Sequence, residues 1–298
     1  MALRRSILLV GGNDESTQRA GIASHADVVC LDLEDTVTPA NKAAARRGIA
    51  RLLAEDIWGR SARAYRINGV STPFAQADIV DVLMACKGQV DTIFMSKVES
   101  EHDVWWADRL ITQVSEELRI PHQIRLAVGI ESAKALTRID AIASASPRIE
   151  ALGFAVGDLN ISLGVRIGQY LHDRTLYPGD LNHFTRSRIN LAAKSNGLLA
   201  LDGPWPMIND HATLDVDARW GAMLGFDGKI ALSADQVPVI HEAYRPTPAE
   251  IARAELLIAK FNDAIQRGEA HGLVDGEFID PVTLTLMRQT LERAEAPI

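Results

Sequence analysis

The sequence is poor in cysteine, in aromatic residues and in basic charge, and it has no long apolar run. Cys30 and Cys86 are too few for a disulfide framework and do not have a zinc-binding spacing. Asp and Glu (39) outnumber Lys and Arg (31), which gives a net charge of −8 and argues against a nucleic-acid partner. The apolar segment after Arg4 and Arg5 is shorter than a signal peptide or a membrane span requires. We therefore expect a cytoplasmic protein with no membrane partner.

The sequence does contain a repeated alternation of short apolar runs and helix-like segments. Eight runs are predicted to be strands: residues 7–10, 27–33, 62–67, 92–95, 125–130, 150–156, 198–201 and 229–232. Near-continuous apolar runs are typical of parallel strands that are covered on both faces. Eight strand–helix units predict an α/β fold, a closed (β/α)₈ TIM barrel. An open doubly wound sheet is disfavoured because Gly11-Gly12-Asn13 lacks the Gly-rich phosphate fingerprint.

The C-terminal segment interrupts this alternation. After Pro246 come a helix-like stretch at 248–268, a Gly- and Asp-rich turn at 272–276 and a second helix from Pro281. We predict a TIM-barrel catalytic domain at residues 1–245 and a C-terminal helical arm at residues 246–298.

The predicted strands end in polar or charged residues, and the C-terminal ends of the strands carry the chemistry in TIM barrels. These residues are Asn13, Glu34, Asp35, Arg66, Asn68, Lys97, Glu99, Glu131, Asp158, Asp202 and Ser233. A charge that directly follows a buried run needs a partner or a ligand. For Asp158, capping of the following helix is the alternative explanation.

This set of side chains favours a metal-dependent enzyme for small anions. Carboxylates without histidine or thiolate suit Mg²⁺ or Mn²⁺, and Arg66 can hold a carboxylate through a bidentate fork. A Lewis-acid metal beside such a clamp suits a 2-oxo or 2-hydroxy acid. Lys97 could be a Schiff-base lysine, but the neighbouring Glu99 favours a charge-paired, orienting role. The basic cluster at residues 42–47 is predicted to be the solvated face of a helix.

Nine short motifs follow one another along the chain. They are Leu31-Asp32-Leu33-Glu34-Asp35 with Lys42 downstream, Arg66-Ile67-Asn68, Ser96-Lys97-Val98-Glu99, Gly129-Ile130-Glu131-Ser132, Gly157-Asp158-Leu159, Ser187-Arg188, Asp202-Gly203-Pro204, Gly225-Phe226-Asp227-Gly228-Lys229 and Val274-Asp275-Gly276-Glu277-Phe278-Ile279-Asp280. In this order they resemble the HpcH/HpaI aldolase and citrate lyase β-subunit family, in particular its citrate lyase β-like and malyl-CoA lyase branch. The resemblance implies reversible cleavage of a 3-hydroxy-acyl thioester, such as citryl-, malyl- or citramalyl-CoA. The products would be a 2-oxo acid and an acetyl-type thioester.

The resemblance also implies residue roles and a homo-oligomer, a trimer or hexamer. Mg²⁺ would be held by Glu131 and Asp158. Substrate would contact Arg66, Glu131, Lys97, Asp35 and Gly157. The catalytic set would be Arg66, Glu34 and Asp280, with the arm delivering Asp280 to a neighbouring subunit to move the proton of the acetyl carbon. Pro281 makes helix capping the alternative role of Asp280.

The sequence departs from the family pattern at two strands. Ser96 stands where relatives have proline, and Ser233-Ala234 stands where they have His-Pro near the thioester carrier. The second departure leaves the carrier open and favours an alternative, a class II pyruvate-type aldolase acting on free 4-hydroxy-2-oxo acids. A second alternative is a non-catalytic paralogue that binds a dicarboxylate. Residues 168–183 are predicted to form a specificity loop.

Overall fold

The computed structural model describes residues 4–166 and 181–295, and it confirms the predicted (β/α)₈ TIM barrel. The strands are β1 Ser6–Gly11, β2 Val28–Asp32, β3 Ala62–Ile67, β4 Thr92–Met95, β5 Arg125–Ile130, β6 Ile149–Phe154, β7 Leu199–Asp202 and β8 Gly228–Ala231. All neighbouring strands are parallel, and β1 pairs with β8 as well as with β2, which closes the barrel. Each strand overlaps the run that was predicted for it.

Helices follow the strands around the outside of the barrel. They are α1 Glu15–Ile22, α2 Lys42–Ala54, α3 Ala75–Cys86, α4 Glu101–Leu118, α5 Ala133–Thr137, α6 Ile139–Ala143, α7 Val156–Ser162, α8 His183–Ser195, α9 His211–Met223 and α10 Gln236–Ala243. A 3₁₀ turn at Pro39–Asn41 leads into α2. A capping box begins α4, and in it Asp103 accepts a hydrogen bond from the Ser100 N–H at 3.0 Å.

Inward-facing residues of the strands form the barrel core. The core includes Ile7, Val28, Cys30, Ala64, Phe94, Ala127, Ala151, Leu201 and Ile230. Gly153 is needed beside Phe94, because a Cβ at this position would lie 2.9 Å from the Phe94 ring. Burial raises the pKa of the Cys30 thiol, so this residue packs as a small apolar side chain. Two positions beyond Cys30 and Ala64, the same inward face carries Asp32 and Arg66.

The chain divides into two compact units, one that ends at His241 and one that begins at Glu242. The second unit contains α11 Pro248–Gln266, the strands β9 Gly272–Val274 and β10 Glu277–Ile279, and α12 Pro281–Glu295. Its core consists of Leu257, Phe261, Val274 and Ile279. The segment predicted as a turn is part of an antiparallel hairpin, with Asp275 and Gly276 in the left-handed region at its tip. Packing of this arm on a neighbouring subunit stays a prediction.

Most of the predicted specificity loop lies outside the described residues, because 167–180 are not among them. Within residues 4–166 and 181–295, no helix is long and apolar enough to cross a membrane.

Candidate active site at the mouth of the barrel

The centre of the site is an ion pair between the ends of β2 and β3. Arg66 donates from Nε to Asp32 Oδ1 at 2.7 Å and from Nη2 to Oδ2 at 2.8 Å. Burial raises the pKa of Asp32, but the hydrogen bonds and charge of Arg66 outweigh it and hold that pKa below its usual value. Sequence reasoning missed the role of Asp32. A signal was available, because a carboxylate that ends an otherwise apolar strand needs a partner.

Glu34 lies between two cations. Its Oε2 is 3.0 Å from Arg66 Nη1, and its Oε1 contacts Lys97 Nζ, which is also 2.9 Å from Asp35 Oδ1. Burial raises the pKa of Glu34, and the charges of Arg66 and Lys97 offset this only in part. Burial also acts on Asp35, but its hydrogen bond and charge pairing with Lys97 lower its pKa overall. Lys97 is therefore an ion-paired cation in this structure.

Glu131, directly after β5, is an almost fully buried carboxylate (5% exposed). Burial, then the negative charge of Glu34, raises its pKa to about 7, although the Lys97 N–H donates a hydrogen bond to the carboxylate. The space for this side chain depends on Gly129, where a Cβ would lie 2.5 Å from Glu131 Oε1. The backbone of Lys97 is in the left-handed region, with a φ of +52°. Gly69 leaves room for the Lys97 side chain, because a Cβ at position 69 would lie 3.1 Å from Lys97 Cβ.

The prediction that Asp158 ends a strand is wrong. Asp158 lies in the first turn of α7, four residues after Phe154, the last residue of β6. It is half-buried, and its charge contributes to the raised pKa of Glu131, so the two carboxylates are within electrostatic reach of each other. The adjacent Gly157 is exposed, and a Cβ there would have no neighbour within 4 Å among the residues that the structure describes. A role of Gly157 in substrate binding stays a prediction.

The prediction that residues 42–47 form a solvated basic face is wrong for Lys42, which is only 5% exposed. Its Nζ donates to the carbonyl oxygens of Leu33 and Glu34, both at 2.7 Å. The sequence carried the signal, since Lys42 is three residues before Ala45 and seven before Ile49, both on the buried face of α2.

Asp202 belongs to a separate buried network. Arg186 Nε donates to Asp202 Oδ1 at 2.9 Å, and Lys229 Nζ lies 2.8 Å from Asp202 and 2.7 Å from Asp217. Burial would raise the pKa of Asp217, but Lys229 and Arg186 lower it to about 2. The ion pairs of this network therefore link β7, β8, α8 and α9.

The remaining predicted residues have different surroundings. Glu99 forms an exposed ion pair with Lys134 at 2.6 Å. The Ser233 Oγ is buried and has no hydrogen-bond partner in the part of the chain that the structure describes. In the second unit, Asp280 Oδ1 accepts from the main-chain N–H of Thr283 at 2.9 Å, which caps α12 and lowers the pKa of Asp280. The catalytic role of Asp280 stays a prediction.

The mouth carries more negative than positive charge. Its carboxylates are Asp32, Glu34, Asp35, Glu131 and Asp158, and its cations are Lys42, Arg66 and Lys97. The excess of two carboxylates favours binding of a cation at the mouth, and a nearby positive charge would lower the raised pKa of Glu131. Within residues 4–166 and 181–295, no cluster of three or more His, Cys, Asp or Glu is arranged to hold a metal. A two-carboxylate site nevertheless fits Mg²⁺, which keeps several of its waters.

Comparisons with known proteins relate the chain to one family. The sequence profile described as HpcH/HpaI aldolase/citrate lyase matches residues 5–234. The L-malyl-CoA/beta-methylmalyl-CoA lyase of Cereibacter sphaeroides is 32% identical over 282 residues, 92% of this chain and 89% of that protein. The structure of CitE from Mycobacterium tuberculosis with magnesium, acetoacetate and coenzyme A has a TM-score of 0.77 and 28% identity, covering 98% of each chain.

A citrate lyase from Burkholderia xenovorans has a TM-score of 0.87 over 99% of this chain and 93% of that chain. At 20% identity this likeness shows the fold alone. The profile and the malyl-CoA lyase, by contrast, confirm the resemblance that the motifs indicated. The chain belongs to the HpcH/HpaI aldolase/citrate lyase family and is a carbon–carbon lyase.

Proposed function

We propose that this lyase uses Mg²⁺ to cleave or form a 3-hydroxy-acyl thioester such as malyl-, citramalyl- or citryl-CoA. The products would be a 2-oxo acid and an acetyl-type thioester. The observation that carries the proposal is the juxtaposition of a fixed guanidinium, Arg66, with carboxylates that exceed the cations by two. The similarity to a malyl-CoA lyase and to a CitE that binds magnesium and coenzyme A supports a thioester substrate.

Substrate binding would use groups that are already oriented. Glu131 and Asp158 would hold the metal ion, and Arg66 would hold the carboxylate of the oxo acid. Because Asp32 already fixes one edge of Arg66, little ordering remains to be done when substrate binds. Glu34 contacts both Arg66 and Lys97 and so would orient the two cations. Bound Mg²⁺ would supply Lewis-acid stabilisation of the oxygen on C2.

Cleavage leaves the acetyl-type fragment as an enolate, whose carbon must gain a proton. We propose that Asp280 transfers this proton after the arm delivers it to the barrel of a neighbouring subunit in a trimer or hexamer. The lowered pKa of Asp280 keeps its carboxylate ionised at neutral pH, which suits a base that removes this proton in the condensation direction. In the cleavage direction Asp280 would first have to take up a proton, which the substrate hydroxyl releases when the carbon–carbon bond breaks. The cytoplasmic location stays a prediction.

The substitution Asp280→Asn separates proton transfer from helix capping, because asparagine is also a good N-cap. We expect kcat to fall at least a hundredfold while the melting temperature and Mg²⁺ binding remain unchanged. Mixed oligomers of Asp280→Asn and Glu131→Gln chains should regain part of the activity. In them, the intact arm of a Glu131→Gln chain can serve the intact barrel of a neighbouring Asp280→Asn chain. A lower melting temperature with normal turnover per folded molecule would mean that Asp280 is only a cap. Failure of well-mixed oligomers to regain activity would mean that the arm serves its own barrel.

A substrate screen tests the proposed reaction directly. Purified protein with Mg²⁺ is assayed for acetyl-CoA and 2-oxo acid release from malyl-, citramalyl- and citryl-CoA, and for cleavage of free 4-hydroxy-2-oxo acids. We expect thioester cleavage that EDTA abolishes and Mg²⁺ restores. Cleavage of the free acids alone would favour the class II aldolase, the alternative suggested by Ser233-Ala234. Mg²⁺-dependent binding of a dicarboxylate such as oxaloacetate, without cleavage of any compound, would indicate the dicarboxylate-binding paralogue.

A further inference from the structure

We propose that Lys42 is a positioning residue of this site, acting through the main chain that carries Glu34 and Asp35. Its ammonium holds the peptide groups of Leu33 and Glu34 in place, and these set the position of the Glu34 carboxylate against Arg66 and Lys97. The inference rests on the proposed function, since it assigns Lys42 a role in the same site.

The contacts of Lys42 are those of a main-chain clamp. Lys42 is the first residue of α2, and its Nζ reaches the end of β2 to donate to two successive carbonyl oxygens, each at 2.7 Å. Phe74 lies on another side of the ammonium, with its ring centroid 5.6 Å from Nζ. A lysine ammonium has three N–H donors, and these two carbonyls use two of them.

A buried ammonium is a costly way to satisfy two carbonyls. Burial lowers the pKa of Lys42, and the charges of Asp78, Asp32 and Glu34 oppose this shift. A neutral donor would satisfy the carbonyls without the desolvation of a charge. What the lysine adds is positive charge directly behind a loop with three carboxylates, Asp32, Glu34 and Asp35. It therefore offsets part of their mutual repulsion as well as holding the backbone.

The loop is fixed on its other sides as well. Asn68 Nδ2 donates to the Leu33 carbonyl at 3.0 Å, and the Leu33 N–H donates to the Arg66 carbonyl at 2.9 Å. The Glu34 N–H donates to Asp32 Oδ1 at 2.8 Å. Lys42 adds a bond to both consecutive carbonyls from the outer layer of the barrel. Removing it frees the peptide that orients Glu34 while the Asp32–Arg66 pair stays in place.

A change at Lys42 reaches the chemistry through Glu34. The Glu34 carboxylate contacts Arg66 at 3.0 Å and Lys97, and its charge is felt at Glu131. A displacement of about 1 Å in a catalytic constellation can cost about a hundredfold in rate. Loss of residues that orient metal ligands and their neighbours typically costs about 10–100-fold in metal affinity or activity.

The test compares Lys42→Met with Arg47→Met, an exposed residue on the same helix. For Lys42→Met we expect kcat on malyl-CoA to fall about 10–100-fold, KM to stay within about threefold and the dissociation constant of Mn²⁺, read by electron paramagnetic resonance, to rise severalfold. Arg47→Met should match the wild type in all three. If Lys42→Met does not fold, Lys42→Gln, which can still donate to one carbonyl, is measured for the same quantities.

The outcomes separate positioning from packing. A variant that melts earlier but keeps wild-type kcat per folded molecule and wild-type Mn²⁺ affinity would overturn the inference. The Mn²⁺ measurement does not depend on knowing the substrate. If the wild type cleaves none of the thioesters, the proposed function fails, and the comparison of Mn²⁺ affinities between wild type and the Lys42 variant still decides the role of Lys42.

Discussion

Replacing Glu131 by glutamine should stabilise the metal-free protein, and the gain should depend on pH. The Glu131 carboxyl has a pKa of about 7 instead of 4.5 because burial, then the charge of Glu34, disfavours its ionised form. In the unfolded chain the carboxyl loses its proton near pH 4.5, so the folded state binds more protons between pH 4.5 and 7. Stability of the wild type is therefore lost as the pH rises through this window.

The magnitude follows from the pKa values. One pH unit corresponds to about 1.4 kcal/mol, so the ionised carboxylate costs the fold about 3 kcal/mol above pH 7. Glutamine has nearly the same volume and does not ionise. The difference in unfolding free energy between Glu131→Gln and wild type should rise from below about 1 kcal/mol at pH 5 to about 3 kcal/mol at pH 8.

Urea unfolding in EDTA at several pH values measures this difference, with Glu99→Gln as the control. Glu99 is an exposed carboxylate after β4, and its substitution should change stability by no more than about 0.5 kcal/mol. Addition of Mg²⁺ should reduce this difference, and reverse its sign once the Mg²⁺ concentration exceeds its dissociation constant about 200-fold, because a ligand stabilises only the state that binds it. A difference between Glu131→Gln and wild type that is the same at pH 5 and pH 8 would refute the reasoning.

Two further substitutions test the packing of the site and of the barrel. Gly129→Ala should displace the Glu131 carboxylate, because the new Cβ would lie 2.5 Å from Oε1. We expect titration calorimetry to show that the affinity for Mn²⁺ falls at least tenfold. The control Gly48→Ala should keep the wild-type affinity, because its new Cβ would have no described neighbour within 4 Å. Lys229→Met should lower the unfolding free energy by about 3–5 kcal/mol, because the buried carboxylates of Asp202 and Asp217 would keep the charge of Arg186 but lose that of Lys229. Lys194→Met, which breaks a half-exposed pair, should cost less than about 1 kcal/mol in the same denaturation assay. Equal costs for the two lysines would contradict the assigned importance of the buried network.

The barrel could be predicted because its signal is local and repeated. The run at residues 28–31 is apolar at every position, which already indicates a strand covered on both sides. The start of a helix could also be predicted at Pro281, which is the first residue of α12. The hairpin at 272–279 was predicted only as a turn, since three-residue strands are too short to show a period.

The site was predicted in outline, but its partners were not. Residues after strands were predicted to meet at the mouth, and Arg66, Lys97 and Glu34 do so. The position of Asp202 in a buried network could not be read from the sequence, because its partners on β8, α8 and α9 are set by tertiary packing. Lys42 was misjudged for a similar reason, since a long side chain at a helix start can point either to water or to the sheet.

The network around Lys229 has a consequence for how the barrel opens. The ladder between β7 and β8 pairs Leu201 with Gly228 and Asp202 with Lys229, and it is shorter than the ladder between β1 and β2. A short seam is where a closed sheet would be expected to separate first. Here Lys229 on β8 is tied by its side chain to Asp202 on β7, so charge pairing reinforces the place where backbone hydrogen bonds are fewest. Because these charges are buried, added salt screens them little. We therefore expect the pairing of β7 with β8 to persist at ionic strengths that weaken surface ion pairs.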